Sequence, residues 1–320
     1  MRISGITPSG HPQLGNYLGA ISRWAAEGGP SDLYFVSDLH GMTTTHNPAG
    51  LRSRTSEMLA VLIASGIAPE RVFVQSDLAR ELGALTWILE CTCSYGEAAR
   101  MIQFKEKAGG RSGVRLSLLT YPVLMAADIL LQGADEVPVG EDQQQHVELT
   151  RALARRFNST YGEVFAVPEA VLPLTGARVR DLADPTRKMS KSARDAAGVV
   201  FVLDEPDLVR RKIRRAVTDA ETVPAYDPER RPGVSNLLEI LAACSGTTPR
   251  EEAERHGSYG ALKAAVAEAV VETLRPIRER TLELLADPAE LEQVRKAGAA
   301  RAADRGEHRL SSALRLIGAG

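Results

Sequence analysis

The run Thr186–Ala193, TRKMSKSA, sets Lys188 and Lys191 three residues apart, with Ser190 between them and Arg187 just before. Paired ammonium groups suit polyphosphate oxygens, because each lysine is a compact point charge. A flexible loop can carry such charges onto a leaving pyrophosphate as negative charge develops there. Lys105 and Lys107, in the basic stretch Gln103–Gly113, could assist. A solvated charged loop has the same composition, so the run needs companions before it implies chemistry.

Three further stretches qualify. TPSGHPQLGNYLG follows the first apolar run, and its Gly15-Asn16 pair sits at a helix start. Free N–H groups and the helix dipole favour anions there, and Gly15 leaves room for a flat base. A plain strand-to-helix turn fits the same residues. VGEDQQQH ends a strand, counted here as the fifth, at Gly140, and Glu141, Asp142 and Gln143 then cap a helix. Taken alone Asp142 reads first as a simple cap, and its place at a strand's carboxyl end is what suggests a ligand. Asp128 lies inside the apolar helical run VLMAADILLQ. A carboxylate there needs a partner. That partner is either structural or a ligand donor such as an indole N–H, which offers one hydrogen and no acceptor.

These stretches need a scaffold that brings loops together. The first half alternates strands (Arg2–Ile6, Asp32–Asp38, Arg71–Asp77, the EVPVG run) with helical patterns. That rhythm predicts a parallel sheet covered by helices, with ligands at the carboxyl ends of the strands. QFKEKAGGRSG reads as a loop within an insertion. Beyond the lysine run the patterns turn helical, with a boundary near residue 194. The expectation is a Rossmann-type α/β domain over 1–193 and an all-helical domain over 194–320.

Composition excludes several classes. Of the 320 residues 44% are hydrophobic and 25% charged, and the formal net charge is −2, so no global basic field attracts nucleic acid. Three cysteines, Cys91, Cys93 and Cys244, give neither a disulfide framework nor zinc spacing and read as reduced packing residues. No signal-like or membrane-spanning apolar run is evident, so the expectation is a cytoplasmic protein.

In this order the stretches resemble the tryptophanyl-tRNA synthetases, class I aminoacyl-tRNA synthetases of bacterial type. SGITPSG…LGNYLGA, QFKEK, LTYPVLMAADILL, PVGEDQQQHVELTRALARRFN, DPTRKMSKS and KIRRAVTD carry the resemblance over nearly the whole chain. It implies tryptophan activation by ATP with magnesium, transfer to tRNA(Trp), an anticodon-reading helical domain and a homodimer. It assigns ATP contacts to Thr7, Pro8, Ser9, Gly15, Asn16, Gly140, Glu141 and Asp142, and an adenine contact to the Val179 backbone. Lys188, Met189, Ser190, Lys191 and Ser192 form the mobile loop, with Lys107 at the phosphates; Lys107, Lys188 and Lys191 are the catalytic lysines. For tryptophan it assigns Asp128 to the indole N–H, Met125 to the ring, Tyr121 and Gln143 to the ammonium group, and His40 and Gly5 to the pocket. It implies no resident metal site.

Three positions depart from the family pattern. Gln13 replaces a usual His or Thr; it can still donate a hydrogen bond to phosphate but cannot carry charge. Thr7 replaces a longer Gln. Ile3 stands where an aromatic ring often lines the pocket. Together they suggest altered affinity, as in an auxiliary copy of the enzyme. The basic run Arg210, Arg211, Lys212, Arg214 and Arg215 offers tRNA phosphate contacts, or is a solvated helix face. The rivals are a tyrosyl-tRNA synthetase, a synthetase-like protein without catalysis, and a small nucleotidyltransferase.

Overall fold

The computed structural model describes residues 1–108, 113–140, 143–171, 179–190 and 196–319. Among the described residues short segments form five parallel strands: β1 (Ile3–Ile6), β2 (Leu33–Val36), β3 (Val72–Val74), β4 (Glu136–Pro138) and β5 (Glu169–Val171). The hydrogen-bonded orders are β1-β2-β3 and β4-β5. A parallel bridge from Arg2 to Glu136 and a bond from Ser4 Oγ to the Pro138 carbonyl (3.2 Å) join β1 to β4. The composite order is β3-β2-β1-β4-β5, the order of a Rossmann-type sheet, whose direction of winding reverses between β1 and β4. The EVPVG strand is therefore the fourth described strand, not the fifth. Glu169–Val171 escaped the sequence reading because only three residues pair there and all are at least partly exposed.

Side chains alternate across the sheet, as a period of two requires. Ile3, Leu33, Phe35 and Phe73 face one core, with Leu85, Leu130, Val147 and Phe157 from the helices Ala79–Thr92, Ser117–Gln132 and Gln144–Tyr161. Ile6, Tyr34, Val36 and Val74 face the other, with Met58, Leu62, Leu237, Val266 and Leu274. This second core runs without a break across residue 194. It packs the helix Pro48–Ala64 against Tyr259–Ala286 from the C-terminal half.

The last helix, Pro288–Leu316, returns to the sheet domain. Asp287 caps its first amides. Arg295 grips Asp77 (2.5–3.0 Å), and Gln132 Nε2 donates to the Ala302 carbonyl (3.0 Å). Gly298 lies so close to β3 that a Cβ would stand 1.8 Å from the Val72 carbonyl oxygen. The helix thus shields the β3 edge, which would otherwise expose unpaired backbone groups.

Two expectations are corrected. Gln103–Ala108 is not loop but most of a helix, Ile102–Ala108. Helix-forming Gln, Lys, Glu and Ala precede the first glycine of that stretch, and Ile102 N donates to Gln145 Oε1 at 2.8 Å. Cys91 is exposed rather than packed inside. No helix among the described residues is long and apolar enough to cross a membrane.

Candidate active site

β1 ends in the turn Thr7-Pro8-Ser9-Gly10, which other elements hold. Arg54 Nε donates to the Pro8 carbonyl at 3.0 Å, and the Thr7 and Ser37 hydroxyls lie 2.9 Å apart. The next helix begins at Leu14, with Gln13 as its cap: Gln13 Oε1 accepts from Gly15 N, and Asn16 Oδ1 accepts from Gln13 N (3.3 Å). A Cβ on Gly15 would come within 2.9 Å of Gln13 Oε1 and 3.2 Å of the Val179 side chain. A side chain here would have to displace the Gln13 amide from its cap.

The lysine run meets this turn. Arg180 and Lys188 form an antiparallel bridge, and Met189 N donates to the Val179 carbonyl at 3.1 Å. Asn236 fixes Arg180 by accepting from its N–H (2.8 Å) and donating to its carbonyl (3.0 Å). Val179 and Met189 are buried in the core, whereas Lys188 and Ser190 are exposed. Thr7, Ser9, Gln13, Asn16, Lys188, Met189 and Ser190 together line a cavity of about 350 Å³. The structure thus brings together two stretches more than 170 residues apart in sequence. The lining carries hydroxyls, amides, one ammonium group and a helix start, a donor set suited to anionic oxygens.

A second centre lies at the carboxyl ends of β2 and β3. Asp128 is almost fully buried. His40 Nε2 stands 2.9 Å from its Oδ2, and Gln75 Nε2 donates to both oxygens at 2.8 and 2.9 Å. Gln75 Oε1 in turn accepts from Leu39 N at 3.0 Å. Burial pushes the Asp128 carboxyl above its ordinary range, opposed by the bonds from His40 and Gln75. A carboxylate has about four acceptor sites, and these contacts leave capacity for one further donor. Around it the Tyr121 ring meets His40 edge-on at 6.2 Å, and its hydroxyl lies 2.8 Å from His146 Nε2 and 2.9 Å from Gln103 Oε1. Met125 and Gln143 are half-buried. Gly5 is exposed, and a Cβ there would meet the Phe35 ring at 2.6 Å. Ser37, bonded to Thr7, immediately precedes the short helix Asp38–Gly41 that carries His40, so the two centres are neighbours.

Several expected site residues are assembled in this way, and others differ. Gln13 does not offer its amide to phosphate: Nε2 donates to the Met189 carbonyl at 3.0 Å and Oε1 is taken by Gly15 N. Ile3 is fully buried in the core. Lys212 is unavailable to tRNA phosphate, because its buried ammonium group bonds Asp204 (2.6 Å) and the Val199 carbonyl (2.7 Å). Arg210 is paired with Glu268 and Asp207, while Arg211, Arg214 and Arg215 are exposed. β4 ends at Pro138 rather than at Gly140, which lies exposed two residues beyond it, its carbonyl accepting from Gln143 N at 2.9 Å. Glu141, Asp142, Lys191 and Ser192 lie outside the described residues, as does the side chain of Lys107. Sequence reasoning missed Gln75, Gln103 and His146. Gln75 directly follows β3, where a polar residue at a strand's carboxyl end was a usable signal, and His146 lies three residues after Gln143 on the same helical face.

The model of the family "tRNA synthetases class I (W and Y)" matches residues 2–275. A relative from Streptomyces coelicolor, tryptophan–tRNA ligase 1, is 54% identical, the match covering 98% of this chain and 96% of that protein. The solved tryptophanyl-tRNA synthetase of Mycoplasma pneumoniae is similar with a TM-score of 0.89 and 33% identity, over 100% of this chain and 97% of that one. That of Campylobacter jejuni, complexed with ADP and tryptophan, gives 0.83 and 30%, over 99% and 100%. On this sequence and structural similarity the chain belongs to the class I tRNA synthetases of the tryptophan and tyrosine group.

Proposed function

We propose that the chain joins L-tryptophan to ATP, giving tryptophanyl-adenylate and pyrophosphate, and then transfers the tryptophanyl group to tRNA(Trp) with release of AMP. The observation that carries this is the cavity shared by Thr7, Ser9, Asn16 and Lys188, set beside the buried Asp128 centre. The first part suits a triphosphate and the second an indole N–H. The tryptophan carboxylate attacks the α-phosphorus, a new P–O bond forms, and the bond to the leaving pyrophosphate breaks. No side chain acts as a covalent nucleophile; the protein positions the reactants and stabilises charge. Lys188 meets the charge developing on pyrophosphate, and Lys107 and Lys191 are proposed to share that role. Pro8, Gly15, Gly140, Glu141, Asp142, Ser190 and Ser192 complete the nucleotide contacts, while Tyr121, Met125, Gln143, His40 and Gly5 shape the tryptophan pocket.

Magnesium would enter on the ATP phosphates, since this small hard cation retains water and binds phosphate oxygens. Thr7, Ser9 and Asn16 offer neutral oxygens and the described lining holds no carboxylate, which fits an ion carried in by the substrate.

The helical elements after residue 194 are proposed to read the anticodon end of tRNA, with Arg211, Arg214 and Arg215 facing phosphate. A cytoplasmic homodimer completes the proposal. Trp87, Tyr95, Ile102 and Leu116, large apolar side chains that are 57–76% exposed, are proposed to meet the second copy. ATP–pyrophosphate exchange with each of the twenty amino acids tests the function. Exchange with tryptophan alone is expected, and preference for tyrosine would overturn it.

A further inference from the structure

The residues Pro12, Gln13 and Leu14 hold the chain on both sides of the lysine run. On the far side the bonds are backbone only. Leu14 N donates to the Val200 carbonyl (2.8 Å), Val202 N donates to the Pro12 carbonyl (2.9 Å), and Gln13 bridges Phe201. On the near side a side chain is used: Gln13 Nε2 donates to the Met189 carbonyl at 3.0 Å, inside the protein. Gln13 is 2% exposed. Its other end is fixed by Gly15 N at the helix start, so the amide has one orientation. Lys188 and Ser190 flank the residue it grips, and all of them line the same cavity.

We propose that Gln13 is a positioning residue for nucleotide binding, acting through Met189 to hold Lys188 and Ser190 at the distance from Thr7, Ser9 and Asn16 that a triphosphate spans. This rests on the nucleotide reading of the cavity. Gln13 acts without touching phosphate. It makes the binding geometry before ATP arrives, so that the nucleotide does not have to order the segment itself. The backbone bonds on the far side survive any side-chain change, whereas on the near side this amide is the bond that ties Met189, itself paired with Val179, to the helix start.

Capping and positioning are separable. Gln13→Ser keeps a good helix cap but is too short to reach Met189; Gln13→Met keeps the length and loses both bonds. Losing a buried neutral hydrogen bond should raise KM for ATP about 5–10-fold in both variants. KM for tryptophan should stay within about twofold, because the Asp128 centre is untouched. Without nucleotide, trypsin should cut after the exposed Arg187 and Lys188 faster in Gln13→Ser than in the wild type. If Gln13→Ser matches the wild type in both KM for ATP and cleavage, Gln13 is only a cap and the proposal is wrong. If cleavage accelerates while KM for ATP is unchanged, the segment is held by Gln13 but is not part of the nucleotide site, and the reading beneath the proposal fails instead. Should Gln13→Met not fold, Gln13→Ser alone decides.

Discussion

Gln75 donates its side-chain amide to both oxygens of Asp128, at 2.8 and 2.9 Å, with both side chains buried. Because Gln75 is itself tied to Leu39 N, the carboxylate is locked to the ends of β2 and β3. A fixed, desolvated acceptor discriminates strongly, since a competitor lacking the donor leaves it unpaired. Asp128→Asn should lower kcat/KM for tryptophan in pyrophosphate exchange about 10–100-fold and shrink the preference over phenylalanine. Unaltered selectivity would remove Asp128 from the indole contact.

Gly298 is where the last helix meets the sheet. A methyl group there would collide with the Val72 carbonyl, and backbone cannot yield as a side-chain tip does. Gly298→Ala should cost about 1–3 kcal/mol of stability, read from the urea midpoint. An unchanged midpoint would show that the helix docks more loosely than described.

Asp219 governs part of the acid behaviour. Arg231 first, then Tyr259, hold its carboxyl down at about 2. A depressed carboxyl stabilises the fold above its ordinary value near 4, and that contribution disappears as pH falls toward about 2. Asp219→Asn should therefore flatten the loss of stability between about pH 4 and 2. Glu97, held at about 2 by Arg156, retains its own share. Denaturant melts across this range that run parallel to the wild type would contradict the assignment.

Trp87 and Tyr95 are 68% and 76% exposed. If they meet a second copy, Trp87→Glu with Tyr95→Glu should shift the chain from dimer to monomer in sedimentation, since buried like charges oppose association. A wild-type chain that sediments as a monomer would end that idea.

Local pattern made much of this molecule legible. The helices Ala79–Thr92 and Ser117–Gln132 follow apolar spacing that sequence shows directly, and β1 to β3 are apolar runs bounded by turns. That Thr7 and Lys188 would line one cavity was expected only with the resemblance, because neither stretch alone separates a ligand loop from a solvated one. The rest was hidden because it is tertiary. Nothing near Gln13 shows that its amide is consumed by Met189, 176 residues away. Lys212 looked like its arginine neighbours until Asp204 and Phe201 enclosed it. β5 carries too little burial to leave a pattern, and the return of Pro288–Leu316 to β3 depends on Gly298, a residue without a side chain.

Lys188→Ala tests the central assignment most directly. If the 350 Å³ cavity receives ATP, removing its ammonium group should slow tryptophan-dependent ATP–pyrophosphate exchange about 10²–10³-fold, the usual cost of losing one preorganised group facing transition-state charge. Exchange at the wild-type rate, in a variant that melts like the wild type, would contradict it.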